Sequence, residues 1–454
     1  MRRIFVLGML FLGMRLTAAL GAPSYGAQEL LAFGFLILAA YAAGEIANGF
    51  RVPKLVGYML AGVVFGPSVL GTVSDTALTD LAPVSSLAIA LIAFLAGSEL
   101  RWKELRERGR AILSILATEL SLTLVAVAVF LVVLRDHVEF LRGAPWPAVI
   151  AFSLVFASIA AVHSPAVAMA LLTETRASGP VARTSLGVVL VSDVVIVLML
   201  TGVLALARFI VPPGGENAAA LTVGAVAWEV GGAVLVGGAI GALVTIYLRF
   251  VSRELFLFSV MVALAGSEIA QLLHVEPLLT LIVAGFVTEN VSSPERGAAL
   301  RHAMERAAAP VFVVFFALAG GQIALTDLMK MWPLVLPIAV VRGASIWSGT
   351  RLGIWWSKTS DSGREAMRRH MWTGLIPQAG VAIGLAAVVA QTYPHRGGQL
   401  RTLFLALVAV NQAVGPVLFR RALDRAGEIP DVSPLRAEDI PPFAFARDRA
   451  RTPV

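Results

Sequence analysis

Residues Ala157 to Met199 read ASIAAVHSPAVAMALLTETRASGPVARTSLGVVLVSDVVIVLM, two apolar helical runs joined by a short segment, Thr173 to Arg183. That segment holds Gly179 and Pro180. The first run carries His163, Ser164 and Pro165 in its middle, and the second carries Asp193. At ~1.5 Å of rise per residue, Asp193 stands ~15 Å from Arg183 and His163 ~16 Å from Glu174. In a hydrocarbon layer ~30 Å thick, both positions fall near the midplane. A carboxylate at that depth is costly, and it faces a helix that Pro165 deprives of a backbone donor. These features point to an ion site between two helices. A helix-packing carboxylate hydrogen-bonded to a neighbour is the rival reading.

The solvent is set by composition: apolar residues make up 58% of 454, charged residues 14%, and the mean hydropathy is +0.82. No water-soluble core needs that balance, so the chain reads as an all-α polytopic membrane protein. Cysteine is absent, which excludes disulfides, thiol catalysis and cysteine metal sites. Residues 1–27 open with MRR and an apolar run, Ile4 to Met14, followed by Arg15; they read as a signal peptide or an extra N-terminal helix. Thirteen spans follow, at 28–47, 54–72, 81–98, 111–134, 147–173, 184–207, 221–248, 254–273, 277–290, 308–326, 332–353, 371–391 and 402–419. Residues 421–454 are rich in proline and charge and read as a poorly ordered cytoplasmic tail.

Charge orients the spans. With span 1 starting outside, the inner loops and tail hold 26 Lys or Arg and the outer loops six, so the positive-inside rule puts the tail in the cytoplasm. The formal net charge of +7 is therefore topology and not a nucleic-acid surface. The basic loop Glu99–Arg110 reads as an amphipathic helix lying on the inner leaflet.

An offset of 223 residues aligns GEIANGFRVPKLVGYMLAG (44–62) with SEIAQLLHVEPLLTLIVAG (267–285), with seven of eighteen positions identical from Glu45 onward. Seven spans separate the copies, so they run in opposite directions across the membrane, as in transporters built from inverted repeats. Repeat one covers about 28–207 and repeat two about 254–420. Span 5 then needs a counterpart in span 12, where Pro377, Gln378 and Gly380 echo His163, Ser164 and Pro165. Two interrupted helices can cross where both are unwound and offer open carbonyls to a cation. Two merely kinked helices are the alternative.

The runs LVGYMLAGVVFGPSVLG (55–71), LIAFLAGSELRWKELRE (91–107), VHSPAVAMALLTE (162–174), FFALAGGQIAL (315–325) and LIPQAGVAIGLA (375–386) resemble successive signatures of monovalent cation:proton antiporters. That superfamily takes in the sodium/hydrogen exchangers and the Kef-type potassium/proton antiporters. The resemblance covers residues 28 to 420. It implies thirteen helices as two inverted six-helix repeats, crossed discontinuous helices 5 and 12, a homodimer, and elevator-type movement of a core. Asp193 matches the family's helix-6 carboxylate, and Ser164 matches a helix-5 position held there by Asp or Ser. Ser192 stands where the family usually has Asp, Asn or Gln, and His163 where it has Thr or Ser. With Asp193 the only carboxylate of that motif, the resemblance implies electroneutral one-for-one exchange.

A buried carboxylate meets protons and hard cations on comparable terms, so sodium or potassium and a proton would displace one another at Asp193, Ser164 and Ser192. His163 could titrate near neutrality or be a neutral core histidine. Arg342, ten residues into span 11, needs a partner at that depth, and Glu119 in span 4 is the candidate. Such electroneutral relatives often carry Arg at this place. Glu45 and Glu268 sit near span ends and read as loop anchors. Asn411 and Gln412 in span 13 can brace the crossing. The expected protein is a transporter of the bacterial inner membrane and not an enzyme; its ion is cargo, no cofactor is expected, and its partners are lipid and a second copy. The alternatives are a channel-like cation pathway and a sodium-coupled organic-anion carrier. No HExxH, GxSxG or paired-carboxylate motif supports a membrane enzyme.

Overall fold

The computed structural model describes residues 27–50, 52–212, 223–357 and 363–430, apart from 379–381, 383, 384, 387, 388 and 391. All regular elements among the described residues are helices. They are α1 (Ala27–Gly49), α2 (Lys54–Phe65), α3 (Asp75–Asp80), α4 (Ala82–Ser98), α5 (Trp102–Val133), α6 (Trp146–Ala160), α7 (Pro165–Thr175) and α8 (Pro180–Ile210). There follow α9 (Val223–Phe250), α10 (Leu255–Leu272), α11 (Pro277–Val291), α12 (Pro294–Gly321), α13 (Leu325–Ser357), α14 (Arg364–His370), a 3₁₀ helix (Met371–Leu375) and α15 (Pro394–Arg425). Eight of the described spans are long and apolar enough to cross a membrane, and four shorter apolar helices lie among them. Residues 1–26 and 431–454, which carry the leader and most of the tail, fall outside the described residues.

Helix starts follow local chemistry. Proline opens α7, α8, α11, α12 and α15, where its missing N–H costs nothing. Ser164 caps α7 by accepting from the Val167 N–H at 3.2 Å, and the Glu276 carboxylate caps α11 by accepting from Leu279 N–H.

Three expectations need correction. The basic segment Glu99–Arg110 is no separate helix on the leaflet: from Trp102 it forms the first turns of α5. A helix of 32 residues is ~48 Å long, longer than the ~30 Å apolar layer, and the Lys, Glu and Arg there favour helix, so the span simply continues into water. By the same reasoning, α12 begins at Pro294, well before the apolar run starts. The segment just after residue 420 is helix and packed chain: α15 runs to Arg425, and buried Glu428 folds back onto the start of α8. Its carboxylate accepts from the N–H groups of Val181 and Ala182, both at 2.7 Å, and Ser178 N–H donates to its carbonyl at 3.0 Å.

Two crossings knit the bundle, α2 on α12 and α4 on α11, and both depend on glycine. A Cβ on Gly62 would overlap the Ala317 carbonyl, and one on Gly320 the Met59 carbonyl. At the other crossing, a Cβ on Gly285 would overlap the Phe94 carbonyl, and one on Gly97 the Ile282 carbonyl. The offset of 223 residues carries Gly62 to Gly285, Gly97 to Gly320, Met59 to Ile282 and Phe94 to Ala317. One crossing thus maps onto the other with its partners exchanged.

Candidate functional site

The segment Trp146–Thr175 is the most enclosed of the candidate spans, and it is not one helix. The α6 helix ends at Ala160, residues 161–164 are non-helical, and α7 restarts at Pro165. Pro165 is therefore the first residue of a new helix and no mid-helix kink. The counterpart is also interrupted: after the 3₁₀ helix Met371–Leu375, Ile376, Pro377 and Gln378 are non-helical. Ala382 is helical, and Gly380 lies outside the described residues.

Both breaks leave carbonyls that no helix satisfies, and Arg342 takes them. Its Nε donates to the Ala160 carbonyl at 2.5 Å and its Nη2 to Val162 at 2.9 Å. Nη1 donates to the Ile376 carbonyl at 2.8 Å and Nη2 to Leu375 at 3.2 Å. The guanidinium is fully buried and receives two C-terminal helix ends, whose dipoles present partial negative charge. Gln378 adds bonds from its amide to the Ala160 and Val162 carbonyls at 2.9 and 3.2 Å, and Asn411 donates to the Gln378 side-chain oxygen at 2.8 Å. Asn411 thus braces the crossing through Gln378. The amide nitrogen of Gln412 is buried without a partner among the described residues.

This changes two expectations. The Ala160, Val162, Leu375 and Ile376 carbonyls are occupied by protein donors, so they are not open ligands for a cation. Nor do Arg342 and Glu119 form a direct ion pair, because the guanidinium's fork is filled by carbonyls. Glu119 acts on Arg342 only through space. Its own carboxylate meets His163 Nε2 at 3.1 Å and the Thr123 hydroxyl, which donates to it at 2.9 Å. The Thr123 and Ser345 hydroxyl oxygens lie 3.0 Å apart, and the Ser345 hydroxyl is 2.8 Å from the Arg342 carbonyl, so the two hydroxyls continue the chain from Glu119. Glu119, Thr123, His163 and Ser345 are all buried. Sequence reading overlooked Thr123 and Ser345. The available signal was their helical spacing, four residues beyond Glu119 and three beyond Arg342, which stacks each on the same helix face.

Asp193 stands apart from this network. Both its carboxylate oxygens are buried, and neither has a hydrogen-bond partner among the described residues. It borders a cavity of about 30 Å³ with His163, Ser164, Pro165 and Ala166, closed by Ile89, Ile92 and Ala93 of α4, Leu278 and Ile282 of α11, and Phe315 of α12. That is room for an ion with at most a water or two. Ser164 reaches the cavity while capping α7. Ser192 does not line it; its hydroxyl donates to the Val189 carbonyl at 2.7 Å. Among the loop anchors, Glu45 pairs with Lys54, whereas Glu268 is exposed.

A second, larger cavity of about 760 Å³ opens among the basic loops. It is bordered by Arg101, Arg108, Arg176, Arg183, Arg301 and His302, and it reaches Met169 on α7 and Gly187 on α8. Gly187 is six residues from Asp193, ~9 Å along the helix. This cavity thus ends within two turns of the buried carboxylate.

Comparison with known proteins agrees with this architecture. The family model described as "Sodium/hydrogen exchanger, transmembrane" matches residues 29–423. Two solved structures of the sodium proton antiporter MjNhaP1 from Methanocaldococcus jannaschii superpose with TM-scores of 0.63 and 0.67, at 14% and 15% identity. Each match covers 88% of this chain and 97% of that one, and the likeness is one of fold. The iron transporter MagA of Paramagnetospirillum magneticum is 30% identical over 173 residues, 38% of this chain and 37% of that protein. The chain matches just over a third of that relative's length. With the family model spanning nearly all of its helices, the chain belongs to the sodium/hydrogen exchanger transmembrane family, a family of transporters.

Proposed function

We propose that the protein exchanges a monovalent cation, sodium or potassium, for a proton at Asp193, one for one and without net charge movement. The observation that carries this reading is the carboxylate of Asp193, buried at a small cavity beside a helix break with no hydrogen-bond partner among the described residues. A buried carboxylate without hydrogen bonds is tolerable only if something neutralises it, and a proton or a cation does so equally well. Ser164 and His163 border the same cavity, and Ser192, beside Asp193 in sequence, bonds the Val189 carbonyl of its own helix. Arg342 compensates the crossing's partial charges, with Glu119 as its through-space counter-charge. In this reading thirteen helices form two inverted repeats, and the paired glycine crossings related by 223 residues support that symmetry. The core carrying Asp193 moves against the remaining helices in elevator fashion. The protein works as a homodimer in the bacterial inner membrane, with the basic loops and tail in the cytoplasm. The 760 Å³ cavity is then the inward mouth of the pathway. A site of about 30 Å³ walled by isoleucine and phenylalanine weighs against an organic-anion carrier.

The test is cation-driven proton flux in proteoliposomes. Addition of sodium or potassium salt to wild type is expected to move protons at a rate indifferent to voltage clamping with an ionophore, whereas a channel would follow voltage. Asp193→Asn should insert normally and lose exchange. Wild-type flux from that variant would sink the reading.

A further inference from the structure

The cavity of about 760 Å³ carries the wrong charge for a cation's entrance. Arg101 and Arg108 reach it from the start of α5, Arg176 from the α7–α8 connection, Arg183 from α8 and Arg301 from α12. Glu99 is the single carboxylate among its described lining residues. Glu289, outside the lining, serves two of the arginines: Arg301 Nη1 donates to its Oε1 at 2.7 Å and Arg101 Nε at 3.2 Å. Set against both carboxylates, the five guanidiniums leave three positive charges, with His302 neutral. Arg101, Arg176 and Arg183 are exposed, and no hydrogen bond or ion pair holds the Arg176 side chain among the described residues. Arg108 Nη1 donates to the Thr184 hydroxyl at 3.2 Å, which ties α5 to α8 across the cavity's wall.

We propose that this cavity is a binding site for a phosphate-bearing anion, and that its occupancy holds the protein inward-open and so slows exchange. The second half rests on the cavity being the inward mouth of the exchange pathway; the first half does not.

The positive-inside rule accounts for arginines in these loops, but not for five of them, from four parts of the chain, meeting at one cavity between helices. A cleft walled by one sign of charge concentrates ions of the other sign, so this one gathers anions and depletes cations. The choice of cation is also specific. Every basic side chain of fixed charge in the described lining is arginine, whose planar fork matches phosphate oxygens, while Lys103 of the same segment stays outside. The volume falls within the range of small-molecule sites, roughly 300–1,000 Å³. Basic pockets between membrane helices on the cytoplasmic side also receive lipid headgroups, so the phosphate can come from a soluble compound or from an anionic phospholipid of the inner leaflet. The consequence for exchange follows from linkage. The wall joins α5, α7 and α8, the helices around Asp193, to Arg301 on α12, a helix of the glycine crossings. A ligand that fits only this arrangement favours it over every other, and the fraction of protein free to move its core falls by mass action.

The soluble probe is inorganic pyrophosphate as its choline salt, and the lipid probe is phosphatidylglycerol mixed into phosphatidylcholine. Calorimetric titration of purified wild type in detergent, at an alkaline pH where His302 is neutral, should show one pyrophosphate bound per chain. Arg176→Gln and Arg183→Gln, both at exposed side chains, should each weaken binding ~10-fold or more, and the double variant further. Arg253→Gln, at an exposed inner-loop arginine outside the cavity, should bind as wild type. Exchange is followed as tracer sodium or rubidium uptake into acid-loaded phosphatidylcholine vesicles, with pyrophosphate equal on both faces so that protein orientation does not matter. Pyrophosphate should slow wild type several-fold and leave the double variant at its own rate without pyrophosphate. Where a headgroup is the occupant, phosphatidylglycerol slows wild type but not the double variant, and pyrophosphate adds nothing further; where a soluble compound is, phosphatidylglycerol changes neither. Both of these results support the site. No pyrophosphate binding together with no effect of phosphatidylglycerol, or equal loss of binding in Arg253→Gln, overturns the proposal. Binding that leaves wild-type exchange unslowed overturns its second half. Pyrophosphate binding by a wild type that shows no cation uptake removes the exchange reading and leaves the anion site standing.

Discussion

At the scale of single residues, the centre of the molecule is a guanidinium. Two helices stop in mid-bundle, and each stop exposes carbonyls in a region without water to satisfy them. Arg342 meets four of these acceptors, which a lysine ammonium, a point donor on a flexible stem, cannot span. Arg342→Ala should cost about 3–5 kcal/mol, because it strands the carbonyls and leaves the nearby Glu119 charge uncompensated. Arg342→Lys should cost less, about 1–3 kcal/mol, since a charge remains but the fork is lost. Thermal unfolding in detergent checks both, with the alanine variant melting lowest; equal melting of all three proteins would refute this account. Arg342 and Glu119 were both visible in the sequence as charges at membrane depth. Their partners were not: the expected pairing of the two gives way to carbonyls for Arg342 and to His163 for Glu119. A sequence shows that a buried charge needs a partner, but backbone carbonyls belong to every residue and carry no sequence signal.

At the scale of elements, the helix breaks and the glycine crossings set the geometry. Ser164-Pro165 was readable as an interruption, and its form, a cap followed by a first-position proline, follows from the two residue types. The glycines at 62, 97, 285 and 320 let backbones approach where any side chain would meet a carbonyl. Gly285→Ala and Gly62→Ala should each destabilise the protein by about 1–3 kcal/mol through overpacking, seen as lower melting temperatures. Gly109→Ala, where a Cβ meets nothing, should stay near wild type. If the crossing variants also melted like wild type, the helices would not depend on this close approach. Helix length was the least legible feature, because hydropathy marks only the apolar part of a helix. The extensions of α5 and α12 are polar, so hydropathy leaves them outside the spans.

At the scale of the whole molecule, the residues that follow α15 fasten the end of that helix to the start of α8. Glu428 supplies acceptors to the first N–H groups of α8, the helix that carries Asp193, and opposes the positive end of its dipole. Glu428→Ala should cost about 0.5–2 kcal/mol, the range of a lost helix cap. It should also open the segment after Arg425 to limited proteolysis at concentrations that leave wild type intact. Resistance equal to wild type would show that the tether is not needed to hold that segment.

The sequence by itself determined the membrane as solvent, the order of the spans, the family, and the isolated carboxylate at mid-depth. Each of these is a matter of local composition or of residue types at fixed spacing. The tertiary structure alone decided which groups meet. It turned Glu119 from Arg342 towards His163 and filled the broken helices' carbonyls with protein donors. It moved Ser192 off the cavity and left Asp193 and His163 Nδ1 as buried polar groups at the cavity's edge without partners among the described residues. The reason is physical: hydropathy and periodicity give the depth of a residue in the membrane, while hydrogen bonding depends on rotation about helix axes and on the path of chain segments hundreds of residues away.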